Sequence, residues 1–280
     1  MLPGVRPRDP STSLGMTRWQ VVYKIICYHL FKKKNHKPTV LSIIVPTLEE
    51  EKCIGTTLGH LKSKLSIPHE IIVSDGGSSD ATVGIAGKFA DKVISFDGKT
   101  RQTISQGRNA GAKAARGDIL FFTDADCAIP DPDAFFNKAL SHFARDKNLV
   151  GLTGQVRVLP EQETMADRAM WNLMNFVSRL QNNVRHRGDA AGGELQMVRR
   201  DAFVTIGGYR EDLVTCEDRD LFRRLGRIGR TMFEPDLIVL HSGRRQHQVG
   251  WTWMTLLFFV NTISLSLRGR VVSKEWKPVR

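Results

Sequence analysis

From residue 40 onward, short and almost wholly apolar runs alternate with segments of helical periodicity. Apolar runs of this kind are typical of strands that are buried on both faces of a parallel sheet. The predicted strands lie at 40–46, 70–75, 92–96 and 118–124. The predicted helices between them lie at 49–65, 78–90 and 103–117. Strands that alternate with helices predict βαβ units with right-handed crossovers, and therefore an α/β fold with a mostly parallel sheet.

The second half of the chain is less regular. A strand is predicted at 149–158 and another at 237–242, with a long helix at 164–188 and a shorter one at 217–226. The long helix carries apolar residues at helical spacing: Met165, Ala169, Leu173, Phe176, Leu180 and Val184.

The positive charge lies at the two ends of the chain. The net charge is +12, of which residues 1–40 carry +7 and residues 241–280 carry +6, so that 41–240 is close to neutral. A nucleic-acid-binding domain usually carries its basic patch on the folded domain itself. This distribution argues against nucleic acid and predicts contact between the termini and an anionic membrane surface.

Both basic ends contain a short apolar segment. We expect residues 1–17 to be disordered and residues 18–38 to form a basic amphipathic helix at the membrane interface. Residues 251–267 contain no charged side chain, and three placements stay open for them: in the interface, across the bilayer, or packed on the domain. Basic residues on both sides of this segment favour the interface. The predicted location is cytoplasmic, peripheral on the inner face of the membrane.

The four cysteines lie far apart and form no CxxC pair. A zinc knuckle or a disulfide framework is therefore not indicated, and we expect reduced thiols.

Acidic side chains follow the predicted strands where each strand ends. Asp75 precedes two glycines, and Asp124 and Asp126 follow the run ILFF. Ligands of open α/β sheets bind beyond the carboxyl ends of the strands, so we expect these acids to line one crevice with 46–50. Two carboxylates at such a position can hold a divalent cation that carries a diphosphate. An acidic turn without a ligand has the same sequence.

Four further features suit the same crevice. Glu217 and Asp218 open a helix, where they serve either as favourable helix-terminal charges or as a base for an acceptor hydroxyl. Gly192, Gly193 and Glu194 read as a tight turn near a ligand or as an ordinary helix end. His241 ends a strand as a candidate third metal ligand, and Arg244 behind it suits phosphate.

Taken in order, these pieces resemble the family 2 glycosyltransferases of the GT-A fold. The fragments that carry the resemblance are SIIVPTLEEE, EIIVSDGGSSDAT, GRNAGAKAARGDILFFTDAD, GGELQMVRRDAF, IGGYRED and CEDRDLFRRLGRIG. The resemblance implies a Rossmann-like catalytic domain at 39–245, with a nucleotide-sugar half at 39–130 and an acceptor half at 131–245. Residues 246–280 would then form a membrane-associated apolar helix and a basic tail. It also implies inverting transfer of a sugar from a UDP- or GDP-linked donor to a hydroxyl acceptor, with Mn²⁺ or Mg²⁺.

The resemblance also implies a role for each matching residue. Pro46, Thr47 and Glu50 would line the base and ribose pocket, Asp75 would bind the base, and Arg108 and Asn109 would lie near the donor. Asp124 would touch the ribose or the metal, Asp126 would ligate the metal, and His241 would be a further ligand. Asp218 would be the catalytic base with Glu217 beside it, and Gly192, Gly193 and Glu194 would face the acceptor and the diphosphate.

Two departures and several alternatives complete the interpretation. The family often has Asn-Glu where this chain has Glu49-Glu50, and the Gln-x-x-Arg-Trp motif of processive synthases is reduced to Trp251 in HQVGW. The second departure favours addition of a single sugar, to an acceptor that the basic ends place near a membrane.

Other enzyme classes fit the sequence less well. The GxGxxG signature of a nicotinamide enzyme is absent here, and a nucleotidyltransferase would need a basic Gly-rich loop where PTLEEEKC stands. A nucleotidyltransferase, although this loop disfavours it, and a non-enzymatic basic membrane-binding module stay as alternative readings, and the strand-end acids alone do not exclude a glycosidase.

Overall fold

The computed structural model describes residues 41–98, 101–275 and 279. The predicted disordered segment 1–17 and the predicted helix 18–38 lie outside the described residues. In the described part an eight-stranded sheet is flanked by helices, and the predicted α/β class is confirmed. The strands are β1 (Leu41–Thr47), β2 (His69–Asp75), β3 (Lys92–Ser95), β4 (Ile119–Phe122), β5 (Cys127–Ala128), β6 (Leu149–Val158), β7 (Gln196–Arg199) and β8 (Arg230–His241).

The helices are short in the first half and longer in the second. They are α1 (Ile54–Lys64), α2 (Thr82–Ala86), α3 (Ile104–Ala114), α4 (Pro132–Arg145), α5 (Met165–Arg179), α6 (Arg200–Thr205), α7 (Glu217–Leu225), α8 (Arg244–Val249) and α9 (Trp251–Arg268). A π-helical turn, Leu180–Val184, continues α5. Among the described residues, no helix combines the length and the apolarity that crossing a membrane requires.

The sheet has two differently built parts. Its strand order is β3-β2-β1-β4-β7-β6-β8-β5, and the first four strands in that order are parallel. Beyond β4 the sheet becomes mixed, because β7 runs antiparallel to both β4 and β6. The parallel character is thus concentrated in the first half of the chain, and the second half has the less regular pairing that its sequence indicates.

Three of the four parallel strands, β1, β2 and β4, are buried almost throughout, which explains their continuous apolar sequences. β1 and β4 have no exposed residue, and helix α3 packs over β1 and β2. The close approach of α3 requires a glycine, since a Cβ on Gly111 would lie 2.4 Å from Cγ2 of Ile44. This packing holds the first turns of α3 beside the carboxyl ends of β1 and β2.

One local prediction about α1 is wrong. The acidic residues 49–51 were expected in the first turn of this helix, but the helix begins only at Ile54 and has no acid there. The backbone N–H groups of Glu49, Glu50 and Glu51 instead donate to side chains of the 78–82 loop. These hydrogen bonds hold residues 49–51 against the 78–82 loop, so the helix begins only after them.

Helices α5 and α9 present apolar side chains outward. An amphipathic helix usually buries its apolar stripe. In α5, Met165, Leu173 and Phe176 are 90%, 54% and 62% exposed, although they belong to the stripe that the sequence shows. The buried side chains of this helix include Asp167, Trp171, Asn175 and Ser178.

Candidate active site

A cavity of about 850 Å³ opens at the carboxyl ends of β1 and β4 and the end of β8. Most of the predicted site residues line it: Pro46, Thr47, Glu50, Arg108, Asp124, Asp126, Gly192, Gly193, Glu194, Glu217, Asp218, His241 and Arg244. Two predicted residues, Asp75 and Asn109, are absent from this lining. The residues come from six separate stretches of the chain, and the fold brings them together.

Asp75 lies behind the cavity wall. Register places it beside Thr47, whose hydroxyl donates to Oδ1 of Asp75 at 3.1 Å. The other oxygen accepts the N–H groups of Gly77 and Ser78 at 3.0 and 2.8 Å. The side chain is 1% exposed, and its carboxylate closes the turn after β2, so that it lies behind Thr47 and not in the cavity lining. Its contact with a base stays a prediction.

Asn109 also points away from the cavity. Its amide nitrogen donates to the carbonyl of Tyr209 and to Glu211, both at 2.9 Å, and its oxygen accepts the N–H of Tyr209 at 2.9 Å. The side chain therefore joins α3 to the turn before α7.

Arg108 is the central buried charge of the site. The residue is 1% exposed, yet its guanidinium donates to Glu217 at 2.8 Å, to Asp124 at 3.0 Å and to the carbonyl of Gly193 at 3.2 Å. A Cβ on residue 193 would lie 2.3 Å from Nη2 of Arg108, so a larger residue there would displace the guanidinium. One arginine thus ties together a strand end, a glycine turn and the start of α7.

Strand pairing places Asp126 and His241 side by side. Cys127 of β5 pairs with His241 of β8, and Asp126 directly precedes that pair. Asp126 accepts a short hydrogen bond from the hydroxyl of Ser242, and Nε of Arg244 lies 3.3 Å from its Oδ2. Burial lowers the pKa of His241, which keeps the imidazole neutral as a metal ligand must be.

Arg244 links the end of β8 to the end of β1. Its Nη2 atom lies 2.6 Å from Oε1 of Glu50, while Nε faces Asp126. Glu50 also accepts the thiol of Cys53 at 3.0 Å, and burial together with this carboxylate raises the pKa of Cys53 to about 12. Arg244 therefore acts as the counter-ion of two acids, one after β1 and one before β5.

Glu217 and Asp218 stand at the N-terminus of α7. The preceding Cys216 adopts a left-handed conformation with φ 60°, which turns the chain sharply into the helix. Burial raises the pKa of both carboxyl groups, and the charge of Asp218 adds to the effect on Glu217. Glu217 is held by Arg108, while Asp218 accepts the N–H of Arg219 at 2.7 Å and faces the cavity.

Acidic side chains cluster at the strand ends and at the start of α7. Asp124, Asp126, Glu194, Glu217 and Asp218 line the cavity there, with Arg108 and Arg244 as the guanidinium partners already described. The lining also contains further charged residues of both signs: Glu50, Glu275, Arg101, Arg219, Arg245 and Lys274. Oε2 of Glu194 is buried and has no hydrogen-bond partner among the described residues. Burial, followed by the charges of Asp124, Asp126 and Asp218, raises the pKa of Glu194.

The chemistry of the side chains at the strand ends suits a bound cation. Carboxylate oxygens and an imidazole match the ligand preference of Mn²⁺, and carboxylates alone that of Mg²⁺. The described residues contain no ready-made group of three or more His, Cys, Asp or Glu ligands. Asp124, Asp126 and His241 fit the ion in chemistry, while Arg108 and Arg244 occupy the two aspartates here.

Three residues near the site were not identified from the sequence. Ser242 contacts Asp126. Its position directly after His241 in the chain is the signal that could have identified it. Trp171 packs edge-on against His241 with ring centroids 5.1 Å apart. Buried Asp167 accepts His247 at 2.8 Å and Trp251 at 2.7 Å, which joins α5 to α8 and α9. Trp171 and Asp167 lie in a long helix, and nothing in their spacing marks them.

Comparison with known proteins identifies the family. The family model for glycosyl transferase family 2 matches residues 42–207, more than half of the chain. Succinoglycan biosynthesis protein ExoA of Rhizobium meliloti is 28% identical over 69% of this chain and 60% of its own length. O-antigen chain rhamnosyltransferase RfbN of Salmonella typhimurium is 24% identical over 72% of this chain and 66% of its own length. The chain spans less than two thirds of the length of these relatives.

Solved structures show the same fold. A mannosyltransferase from Pyrobaculum calidifontis, in complex with GDP-Man and Mn²⁺, superimposes with a TM-score of 0.64 at 19% identity, covering 89% of this chain and 71% of its own. TarS 1–349 of S. aureus, in complex with UDP-GlcNAc, gives a TM-score of 0.54 at 18% identity over 72% of this chain and 58% of its own. This chain therefore belongs to glycosyl transferase family 2 and has the GT-A fold.

Proposed function

We propose that this enzyme transfers one sugar, with inversion, from a nucleotide diphosphate sugar to a hydroxyl acceptor, with the aid of a divalent cation. The observation that carries the proposal is the convergence of Asp124, Asp126, Asp218 and His241 on one cavity at the strand ends. The similar solved structures, which hold GDP-Man with Mn²⁺ and UDP-GlcNAc, support a UDP- or GDP-linked donor.

The donor would lie along the polar side of the cavity. Pro46, Thr47 and Glu50, which line the cavity, would contact the base and ribose, with Asp75 supporting Thr47 from behind. Asp124, Asp126 and His241 would hold Mn²⁺ or Mg²⁺, which neutralises charge on the diphosphate when bound. When the donor binds, the guanidinium of Arg244 would leave Asp126 and pair with the phosphates, since a guanidinium binds carboxylate and phosphate equally well in geometry.

Asp218 is the proposed base. In a single displacement, its carboxylate takes the proton of the acceptor hydroxyl as the oxygen attacks the anomeric carbon and the bond to the diphosphate breaks. Burial raises its pKa, which makes the carboxylate a stronger base. Glu217 is engaged by Arg108 and serves to hold that arginine. Gly192, Gly193 and Glu194 border the space between this base and the proposed cation site.

The acceptor is proposed to be lipid-linked or to lie close to a membrane. One wall of the cavity is apolar and comes from α5 and α9: Leu173, Met174, Val177, Met254, Phe258 and Phe259. A soluble sugar acceptor gains little from such a wall, whereas an acceptor with an apolar portion is stabilised by it. The protein would then work as a peripheral enzyme on the cytoplasmic face of the membrane.

The thermal stability of the protein tests donor and cation together. UDP or GDP at about 100 times its Kd, with Mn²⁺ or Mg²⁺, should stabilise the folded state by about 2.7 kcal/mol. Asp126→Asn should remove the part of this stabilisation that depends on the cation. Asp118→Asn is the matched control, because Asp118 is exposed at the opposite end of β4. Retention of the full cation-dependent shift by Asp126→Asn would contradict the proposed site.

The base is tested by substituting its carboxylate. Asp218→Asn should lower release of nucleoside diphosphate from the donor by about 10²- to 10⁴-fold, while donor binding measured by calorimetry is retained. Asp201→Asn is the control: Asp201 also begins a helix and accepts the next N–H at 2.7 Å, but it lies outside the cavity lining. Normal turnover by Asp218→Asn would remove this residue from the mechanism.

A further inference from the structure

Helix α9 turns most of its large apolar side chains outward. Its inward side buries the polar residues Asn261 and Ser264, which are 0% and 7% exposed, together with Met254 and Leu265. Its outward side carries six large apolar side chains that are 40% to 80% exposed: Trp253, Leu256, Phe259, Val260, Ile263 and Leu267. A surface helix that packs for its own stability would bury the larger part of its apolar side chains.

Specific hydrogen bonds fix α9 in this orientation. Oδ1 of Asn261 accepts the N–H groups of Val272 and Ser273 at 2.8 and 3.0 Å, and its Nδ2 donates to the Ser273 hydroxyl at 2.8 Å. From the protein body, Arg219 donates to the hydroxyl of Thr262 at 3.1 Å. Turning the apolar side inward would break all of these bonds and would leave buried polar groups without partners.

Helix α5 repeats the arrangement. Asn175 is 6% exposed and brackets β6, since its oxygen accepts the N–H of Val156 at 3.2 Å and its nitrogen donates to the carbonyl of Val156 at 3.0 Å. Met165 and Phe176, by contrast, stand outward at 90% and 62% exposure. Two helices thus bury hydrogen-bonded polar side chains and expose apolar ones. Chance explains this arrangement less well in two helices than in one.

The two apolar sides meet at the mouth of the cavity. Leu173 of α5 and Phe259 of α9 are 54% and 63% exposed, and both also line the cavity. Asp167 of α5 joins the helices by accepting the indole N–H of Trp251, at the start of α9. We call the exposed apolar side chains of α5 and α9 the outer apolar face; it comprises Met165, Leu173, Phe176, Trp253, Leu256, Phe259, Val260, Ile263 and Leu267.

Positive charge borders the outer apolar face. Arg179 at the end of α5 is exposed, as are Arg268, Arg270 and Lys274 at and beyond the end of α9. Within the described residues 244–275, Glu275 supplies the acidic charge against five Lys and Arg. Apolar and aromatic side chains flanked by arginine and lysine match a bilayer surface that carries anionic lipids.

We propose that the outer apolar face seats the protein on an anionic lipid bilayer, so that the mouth of the cavity opens against the lipid. Trp253 and Phe259 enter the interfacial region, where aromatic rings are favoured, and the flanking guanidinium and ammonium groups contact lipid phosphates. The site then receives substrates from the membrane side through its apolar wall. This inference stands on the surface alone and does not depend on the proposed reaction.

Binding of the full-length protein to vesicles tests the proposal without any nucleotide. Vesicles of phosphatidylcholine with one part in three of phosphatidylglycerol should bind the protein in a flotation assay. The triple variant Trp253→Ser, Leu256→Ser, Leu267→Ser should bind at least about tenfold more weakly, since three apolar side chains no longer leave water. Its donor binding should be unchanged, because none of the three residues lines the cavity.

The control replaces exposed apolar residues elsewhere on the surface. Val204 and Ile228 are 70% and 48% exposed and lie outside the outer apolar face, so Val204→Ser with Ile228→Ser should bind vesicles like the wild type. Brominated lipids should quench the tryptophan fluorescence of the wild type more than that of Trp253→Phe.

Three outcomes would overturn the proposal. The first is a wild-type protein that does not float with anionic vesicles. The second is a triple variant that floats as well as the wild type, which would assign binding to another segment such as 1–40. The third is a wild-type dimer, seen by light scattering, that becomes a monomer in the triple variant without any vesicle binding; the face would then join two copies of the chain. Equal binding to pure phosphatidylcholine would overturn the preference for anionic lipid.

Discussion

The two walls of the cavity are built in opposite ways. The wall at the strand ends consists of carboxylates held by Arg108 and Arg244, and Arg108 is 1% exposed. The wall from α5 and α9 consists of apolar side chains, of which Leu173 and Phe259 are more than half exposed. The charged wall has its partners within the chain and depends on them for stability. The apolar wall is packed within the chain only in part, as at Met254, and its exposed part would gain stabilisation if something outside the chain covered it.

The largest effect on stability is therefore expected at the charged wall. Arg108→Met keeps an unbranched side chain of similar stem but leaves Asp124 and Glu217 without their buried counter-ion. Breaking a buried ion pair by removing one partner typically costs about 3–5 kcal/mol. We expect a loss of this size in the free energy of unfolding, measured by urea denaturation.

Arg168→Met is the matched control for this measurement. Arg168 pairs with Glu163 at 2.8 Å, but its side chain is 69% exposed, and exposed pairs contribute about 0–1 kcal/mol. If the two variants were destabilised equally, the charged wall would be no more dependent on internal pairing than the protein surface. The contrast between the two walls would then not hold for the charged wall.

The charged wall could be predicted because its residues follow strands. Buried parallel strands have continuous apolar sequences, so the ends of β1 and β4, and with them Thr47, Asp124 and Asp126, were evident from the sequence. The direction of a single side chain was not. Asp75 lies at the expected strand end, but the N–H groups of its own turn take its carboxylate away from the cavity.

An intermediate effect is expected at the contact that holds the apolar wall in place. Asp167 is fully buried and accepts hydrogen bonds from Thr164, His247 and Trp251. Hydrogen bonds to a charged group contribute about 1.5–3 kcal/mol. Asp167→Asn should therefore lower the free energy of unfolding by about this amount at pH 7, more than Asp212→Asn, whose side chain is 60% exposed.

The same contact predicts a dependence on pH. Hydrogen bonds from Thr164, His247 and Trp251 outweigh burial and lower the pKa of Asp167 to about 2, below its ordinary value of 3.8. A depressed carboxyl pKa contributes stability that is complete above the unfolded value and is lost as the pH falls through the folded value. The difference between wild type and Asp167→Asn should shrink between pH 4 and pH 2, and a constant difference would contradict this assignment.

The apolar wall could be only half predicted. The periodicity of residues 164–188 indicates a helix, and α5 with its π-helical continuation occupies most of that range. Periodicity shows which residues share a face but not which face turns inward. The inward face is fixed by the hydrogen bonds of Asn175, to both backbone groups of Val156, and by those of Asp167. The partners of these two residues lie far away in the chain, so the local sequence does not reveal them.

The smallest effect on stability is expected for the outward side chains of the apolar wall. Phe176→Ser replaces a ring that is 62% exposed, so the free energy of unfolding should change by less than about 0.5 kcal/mol, as at other surface positions. Phe136→Ala is the contrasting variant, since this ring is 0% exposed and its removal should cost about 3–5 kcal/mol. Urea denaturation of both variants without lipid measures the difference. A cost at Phe176 close to that at Phe136 would mean that another part of the chain covers the outer apolar face, and the apolar wall would then need no partner from outside.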